Sequence, residues 1–230
     1  MVLITADTNE SEFDVYFKDP ISIKSQCTIG LLSATVWHSW HNISSKFNNN
    51  KVKIFQNLRW QNLTIPDGNY DADHLNYWIE DVLQCSDDCP VRFDVNSATN
   101  RFLIILDKCQ VDLSEGKLHE LLGFEPKIYK DGINTGENIG NITRGVDRIL
   151  IHCSLVSDSY QNKFSSDILY SFAPTSPPGA LINIEPFQPK YLPIRGRDYI
   201  YSIGIRLTDQ LNRPINFNGE ILTFVFDIKE

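Results

Sequence analysis

The chain has 230 residues, 42% of them apolar and 11% aromatic, with a formal charge of −8. That apolar content supplies a substantial core and excludes a disordered chain. The acidic balance, with no Lys/Arg cluster, excludes a surface built to neutralise nucleic-acid phosphates. Residues 151–230 carry seven Lys/Arg against eight Asp/Glu, so most of the excess charge sits in residues 1–150.

Residues 1–13 (MVLITADTNESEF) lack the basic and apolar regions of a secretory leader, and no apolar run approaches the ~20 residues of a membrane span. Residues 13–17 (FDVYF) alternate, residues 21–24 follow Pro20, and residues 27–36 (CTIGLLSATV) are almost continuously apolar. These predict three strands, the third buried on both faces. Trp37, His38, Trp40 and His41 follow, and then a polar run, SSKFNNN, that reads as a loop leaving a sheet end.

Residues 51–56 and 58–65 predict two more strands, stopped by a Pro66-Asp67-Gly68 turn. Asp71 or Asp73 caps a helix on which Leu75, Trp78, Ile79, Val82 and Leu83 recur at three- and four-residue spacing. Residues 92–95 and 101–106 form a hairpin. Ser114 is positioned to cap a second short helix carrying Leu118, Leu121 and Leu122, ended by Gly123. Residues 125–146, polar and glycine-rich, read as a long exposed loop.

Residues 149–156, 168–172, 181–184 and 190–194 are further short strands, with a proline-rich crossing at 173–180. In the last 40 residues, Tyr199, Tyr201, Ile203, Ile205 and Leu207 share one side of an extended chain, opposite Ser202, Arg206 and Thr208. After a turn-rich run, Leu222, Phe224, Phe226 and Ile228 alternate with Ile221, Thr223, Val225 and Asp227. The two segments predict an antiparallel pair that ends the chain inside a sheet. Together these elements predict an all-β jelly-roll β-sandwich with two short inserted helices, forming one domain over residues 1–230.

The five cysteines, Cys27, Cys85, Cys89, Cys109 and Cys153, are odd in number and scattered, and are expected as reduced thiols made in a reducing intracellular compartment, cytoplasm or nucleus. The sequons at Asn42, Asn62 and Asn141 are then expected to stay unmodified. No phosphate-cradling glycine loop, nucleophile elbow or metalloprotease motif is present. His38 and His41 need a local bend to share an ion, and Cys85, Cys89, Cys109, His74 and His119 lack the paired spacing of a zinc site. Asp71 with Asp73, and Asp87 with Asp88, read as capping and solvated turns. No catalytic, cofactor-binding or metal residue is therefore expected. Trp60 and Trp78 read as core, which leaves Trp37 and Trp40, with the loop residues His38 and His41 beside them, as candidates to face a partner. Arg195 and Arg197, beside a sheet end, are candidate contacts to a neighbour.

Several segments in order carry a resemblance: GLLSATVWHSWHNI at residues 30–43, IPDGNY at 65–70 with the helix after it, LLGF at 121–124, PTSPPG at 174–179 before YLPI at 191–194, and the ending IRLTDQLNRPINFNGEILTFVFDI. From about Phe13 onward this series resembles the minor capsid protein, or penton, of Polinton/Maverick elements and related virophage-like viruses. The resemblance implies a single jelly roll that assembles as a homopentamer at the vertices of an icosahedral capsid, beside a double jelly-roll major capsid protein. It implies no enzyme activity, no cofactor and no direct nucleic-acid binding. The rival readings are a jelly-roll domain of a major capsid protein, a binding module stacking Trp37 and Trp40 on a glycan or a host protein, and a cupin-like metalloenzyme using His38 and His41.

Overall fold

The computed structural model describes residues 1–23, 27–85, 88–140, 146–156, 159–196 and 198–230. Among these, the chain opens with strands β1 (Val2–Thr8), β2 (Glu12–Ser22) and β3 (Thr28–Trp37). It continues through β4 (Lys51–Gln56), β5 (Arg59–Thr64), helix α1 (Ala72–Leu83), β6 (Val91–Asn96), β7 (Arg101–Leu106) and β8 (Gln110–Asp112). Helix α2 (Leu118–Leu122), β9 (Ile128–Tyr129) and β10 (Gly132–Thr135) complete this middle stretch. The last part holds β11 (Ile149–Cys153), β12 (Ser159–Gln161), β13 (Phe164–Ser166), β14 (Ile168–Phe172), β15 (Leu181–Ile184), β16 (Tyr191–Pro193), β17 (Tyr199–Thr208) and β18 (Leu222–Lys229).

The buried side chains gather in two clusters and the chain divides into two units. The first, Met1–Trp40 with Gly145–Glu230, is the jelly roll. One of its sheets runs β1-β18-β3-β15, with β16 also paired to β3, and the other runs β14-β11-β17-β2, every pairing antiparallel. Ile29, Leu31, Val36, Phe224 and Phe226 of one sheet share a single core with Ile149, Ile151, Ile203, Ile205 and Leu207 of the other. Inward residues two apart on each strand, facing a second sheet, are the packing of a β-sandwich.

The two C-terminal strands do not pair with each other as expected. β17 lies between β11 and β2, whereas β18 lies between β1 and β3 in the opposite sheet. The connection between them is too long for a tight hairpin; it is a crossing anchored by buried Ile215 and Phe217. Strand β1 was missed in a segment read only for its lack of a leader. Ile4 and Ala6 point into the protein, and β1 pairs with β18 from Val2↔Ile228 to Thr8↔Leu222. The two strands expected around Pro20 are one, because β2 is the edge of its sheet and a proline there leaves no ladder bond unmade. Lys24, at the end of that expected strand, lies outside the described residues.

The second unit, His41–Arg144, is inserted between β3 and β11. Its sheets run β5-β4-β8-β9 and β10-β7-β6. Asp71 caps α1 by accepting the His74 N–H at 2.8 Å, as the sequence predicts, and Leu75, Trp78 and Ile79 are buried. Asn76 on α1 donates to the Phe93 carbonyl at 2.8 Å and accepts its N–H at 2.7 Å, so the helix satisfies the free edge of β6. Ser114 does not cap α2. Its hydroxyl is taken by Asp112 at 2.5 Å and the helix starts after Lys117 without a side-chain cap.

Residues 125–146 are not one exposed loop. β9 extends β8 and β10 extends β7, and Tyr129 is buried with its ring 5.0 Å from Phe124. The Tyr129 hydroxyl meets Glu137, which also bonds Lys127 and the Glu125 N–H. Partial burial works to raise the Glu137 pKa, but these donors outweigh it and hold the carboxyl down to about 2. The rest of the expected loop, residues 141–145, lies outside the described residues.

Candidate association surface

Of the six residues singled out by sequence, Trp37 and His38 are half-buried and Trp40 is buried. Trp37 is half-buried at the end of β3, paired with Leu181. His38 is held in place: its Nδ1 lies 2.7 Å from the Ser176 carbonyl, its backbone N–H donates to Ala180, and its ring stacks on Trp40 at 4.1 Å. Trp40 is buried, edge-on to Phe217 at 6.0 Å, which corrects its expected role as a partner-facing residue. The chain leaving β3 folds this indole back into the core, where an aromatic side chain buries more apolar area than any surface contact would. His41 belongs to the second unit, Arg195 is exposed with its N–H bonded to the Leu155 carbonyl, and Arg197 lies outside the described residues.

Two of the five cysteines differ from expectation. Cys85 and Cys89 are joined by a disulfide, because Gln84 ends α1 in a left-handed turn that leaves their Cα atoms 5.1 Å apart. Cys109 is buried and donates to the Pro90 carbonyl; burial pushes its pKa up to about 11. Cys27 and Cys153 are buried free thiols. Among the described residues no group of three or more His, Cys, Asp or Glu is placed to hold a metal ion, and no helix is long and apolar enough to cross a membrane. Asn42 of the first sequon is buried, both ends of its amide bonded to the Tyr70 backbone. Asp87 and Asn141 lie outside the described residues.

One polar cluster has the order of a hydrolytic triad. His152 Nδ1–H donates to Asp167 at 2.5 Å, and its Nε2 meets the Thr208 hydroxyl at 2.9 Å. Thr208 is 0% and His152 3% exposed, so a substrate has no route to the hydroxyl, and the cluster ties β11 and β17 to the start of β14. Burial works to raise the Asp167 pKa, but the His152 hydrogen bond, helped by Arg206, holds the carboxyl below its ordinary value. Its contribution to stability is therefore complete above the unfolded Asp value of about 4 and lost as pH falls below it. Acid titration of the thermal midpoint is expected to show a shallower loss below pH ~4 for Asp167→Asn than for the parent chain. Identical slopes would remove Asp167 from the acid response.

The surface that does fit an association role is the β2 edge of the jelly roll. The pairing of β17 with β2 slips between Ile200 and Ser202, a β-bulge. The slip reverses the facing of the strand, so Ile200 joins the core while Tyr199 and Tyr201, expected inside, are exposed. Tyr16, opposite Ser202 on β2, is 77% exposed and turned the same way. Three tyrosines thus flank the open edge of a sheet, beside Glu12 and Asp14. Tyrosine buries a large amphipathic ring at small entropic loss, the property that enriches it at protein interfaces.

The five- and four-stranded sheets, their antiparallel order and the inserted second unit define an all-β jelly-roll protein with a penton-like fold. No protein-family model and no curated protein matches the sequence. Among solved structures, the crystal structure of the mavirus penton protein matches 99% of this chain and 98% of its own, with a TM-score of 0.50 and 9% identity. The likeness is one of fold.

Proposed function

We propose that this chain is a non-enzymatic structural capsid protein that forms the pentameric vertex capsomer, or penton, of an icosahedral virus or virus-like transposon particle. The observation that carries the proposal is the end-to-end fold correspondence with the mavirus penton protein, which spans the inserted unit as well as the jelly roll. The ordered segments that resemble Polinton/Maverick pentons point the same way. A closed ring of identical chains needs two different complementary faces on each, and the tyrosine-bearing β2 edge supplies one. In this reading the partners are four further copies of the chain and a double jelly-roll major capsid protein, and the protein resides in the virion capsid.

Absolute mass by light scattering, over a range of concentration and salt and with imaging of any assembled species, tests this. The expected species is a five-fold ring, and Tyr16→Ala with Tyr201→Ala is expected to weaken it at least ~10-fold while leaving the thermal midpoint in place. A stable trimer would favour a major-capsid-like domain. A chain that stays monomeric even with the major capsid protein present would overturn the proposal.

A further inference from the structure

The β4–β5 hairpin of the second unit breaks two local rules at one residue. Its two-residue turn is Asn57-Leu58, with φ of 51° and 63°. A turn with both residues left-handed suits Asn and Gly, so Leu is out of place, and this Leu is also 92% exposed. A residue that offends backbone preference and hydration together, with no packing gained within the fold, marks a functional position.

The face behind the tip is layered. Phe55 pairs with Trp60, ring centroids 5.3 Å apart, and Trp60, expected in the core, is 43% exposed. The next rungs down the same face are Lys53 opposite Asn62 and Lys51 opposite Thr64, each about 7 Å beyond the last. Residues 51–66 contain three cations, Lys51, Lys53 and Arg59, and no carboxylate. A groove of about 240 Å³ lies on the lysine rungs, its lining including Lys51, Lys53, Asn62, Thr64, Asp112 and Glu115, with Lys53 ion-paired to Glu115. Apolar apex, aromatic rung and a base of mixed charge follow the depth order of a zwitterionic bilayer interface, with acyl chains innermost, aromatic rings at headgroup level and headgroup charges outermost.

We propose that this hairpin tip is a peripheral membrane-contact site for zwitterionic phospholipid. Leu58 enters the acyl boundary, Phe55 and Trp60 lie among the headgroups, and Arg59 reaches back to phosphate along its apolar stem. The groove takes one headgroup beside the Lys53–Glu115 ion pair, its phosphate toward Lys51 and its ammonium toward Asp112. Carboxylates in the groove and a chain charge of −8 set the site against a strongly anionic surface. A protein pocket would be indifferent to the depth order; a bilayer requires it.

Flotation of the full chain with vesicles of phosphatidylcholine and phosphatidylethanolamine tests this, independently of the oligomer that the chain forms. The parent is expected to float with a blue shift in tryptophan emission that Trp60→Phe removes. Leu58→Asn is expected to bind about tenfold more weakly or worse, with a thermal midpoint unchanged or raised, because Asn suits the left-handed turn. The proposal is overturned if the parent does not float, if Leu58→Asn floats equally well, or if binding requires phosphatidylserine. It is overturned equally if Leu58→Asn lowers the midpoint, which makes Leu58 a packing residue, or lowers the mass of the lipid-free protein, which gives the tip to a second copy.

Discussion

A chain stopped after Glu220 is expected to lose the jelly roll altogether. Strand β18 is interior to its sheet, bonded to β1 along one side and to β3 along the other, so its removal leaves β1 without a ladder and opens one whole side of β3. It also withdraws Leu222, Phe224, Phe226 and Ile228, all buried, with Phe224 stacked on Phe13 of the opposite sheet at 5.9 Å. Truncating a single buried Phe to Ala costs about 3–5 kcal/mol, against a total stability of about 5–15 kcal/mol. The two Phe with Leu222 and Ile228 together amount to about 10–20 kcal/mol, as large as the whole margin. Asp227, fully buried, accepts the Tyr191 hydroxyl at 2.9 Å, so the cut also removes a side-chain tie to β16. Loss of the cooperative thermal transition and rapid proteolysis of residues 146–220 are the expected results. Phe226→Ala is the graded version, lowering the midpoint by roughly 10 °C. A 1–220 chain that melts cooperatively near the parent midpoint would remove β18 from the sheet interior.

That strand was also the most legible part of the sequence, because its apolar side chains recur at two residues without a break. Its place in the fold was less so. Spacing predicts that a segment is a strand and which side is apolar, but the partner across the ladder is set by long-range packing, and β18 took β1 and β3 in preference to β17. The tyrosine edge was hidden by a single local event. Ile200, Ile203, Ile205 and Leu207 stand three, two and two apart, and the odd interval is the bulge. Read as an unbroken alternation from Tyr199, the same letters put two tyrosines in the core. Helix α1 was legible because its cap and its apolar stripe agree; the short strands β8, β9, β12 and β13 hold two or three residues each and have no periodicity to find. The two cores could not be read because nothing in the composition changes near His41 or Arg144.

Gly123→Ala is expected to unsettle the second unit while leaving the jelly roll intact. Gly123 ends α2 with φ 78°, a left-handed conformation in which any Cβ is crowded by its own backbone. A Cβ there would also strike the Asn138 carbonyl and come within 2.8 Å of the Gly140 nitrogen. Both are main-chain atoms that cannot swing aside, and Asn138 is fixed in turn by its N–H bond to the Gly123 carbonyl at 2.8 Å. A left-handed alanine costs about 1–2 kcal/mol and overpacking adds about 1–3 kcal/mol, so a loss of roughly 2–5 kcal/mol is expected. Gly179→Ala separates the two contributions, since Gly179 has φ 79° and nothing within 4 Å of its absent Cβ. It should show only the smaller, conformational part. Hydrogen exchange reads the location: faster exchange over residues 118–140 with unchanged protection of β3, β17 and β18 is expected for Gly123→Ala. Equal losses for the two glycine variants would mean that the segment around Asn138 does not lie against α2.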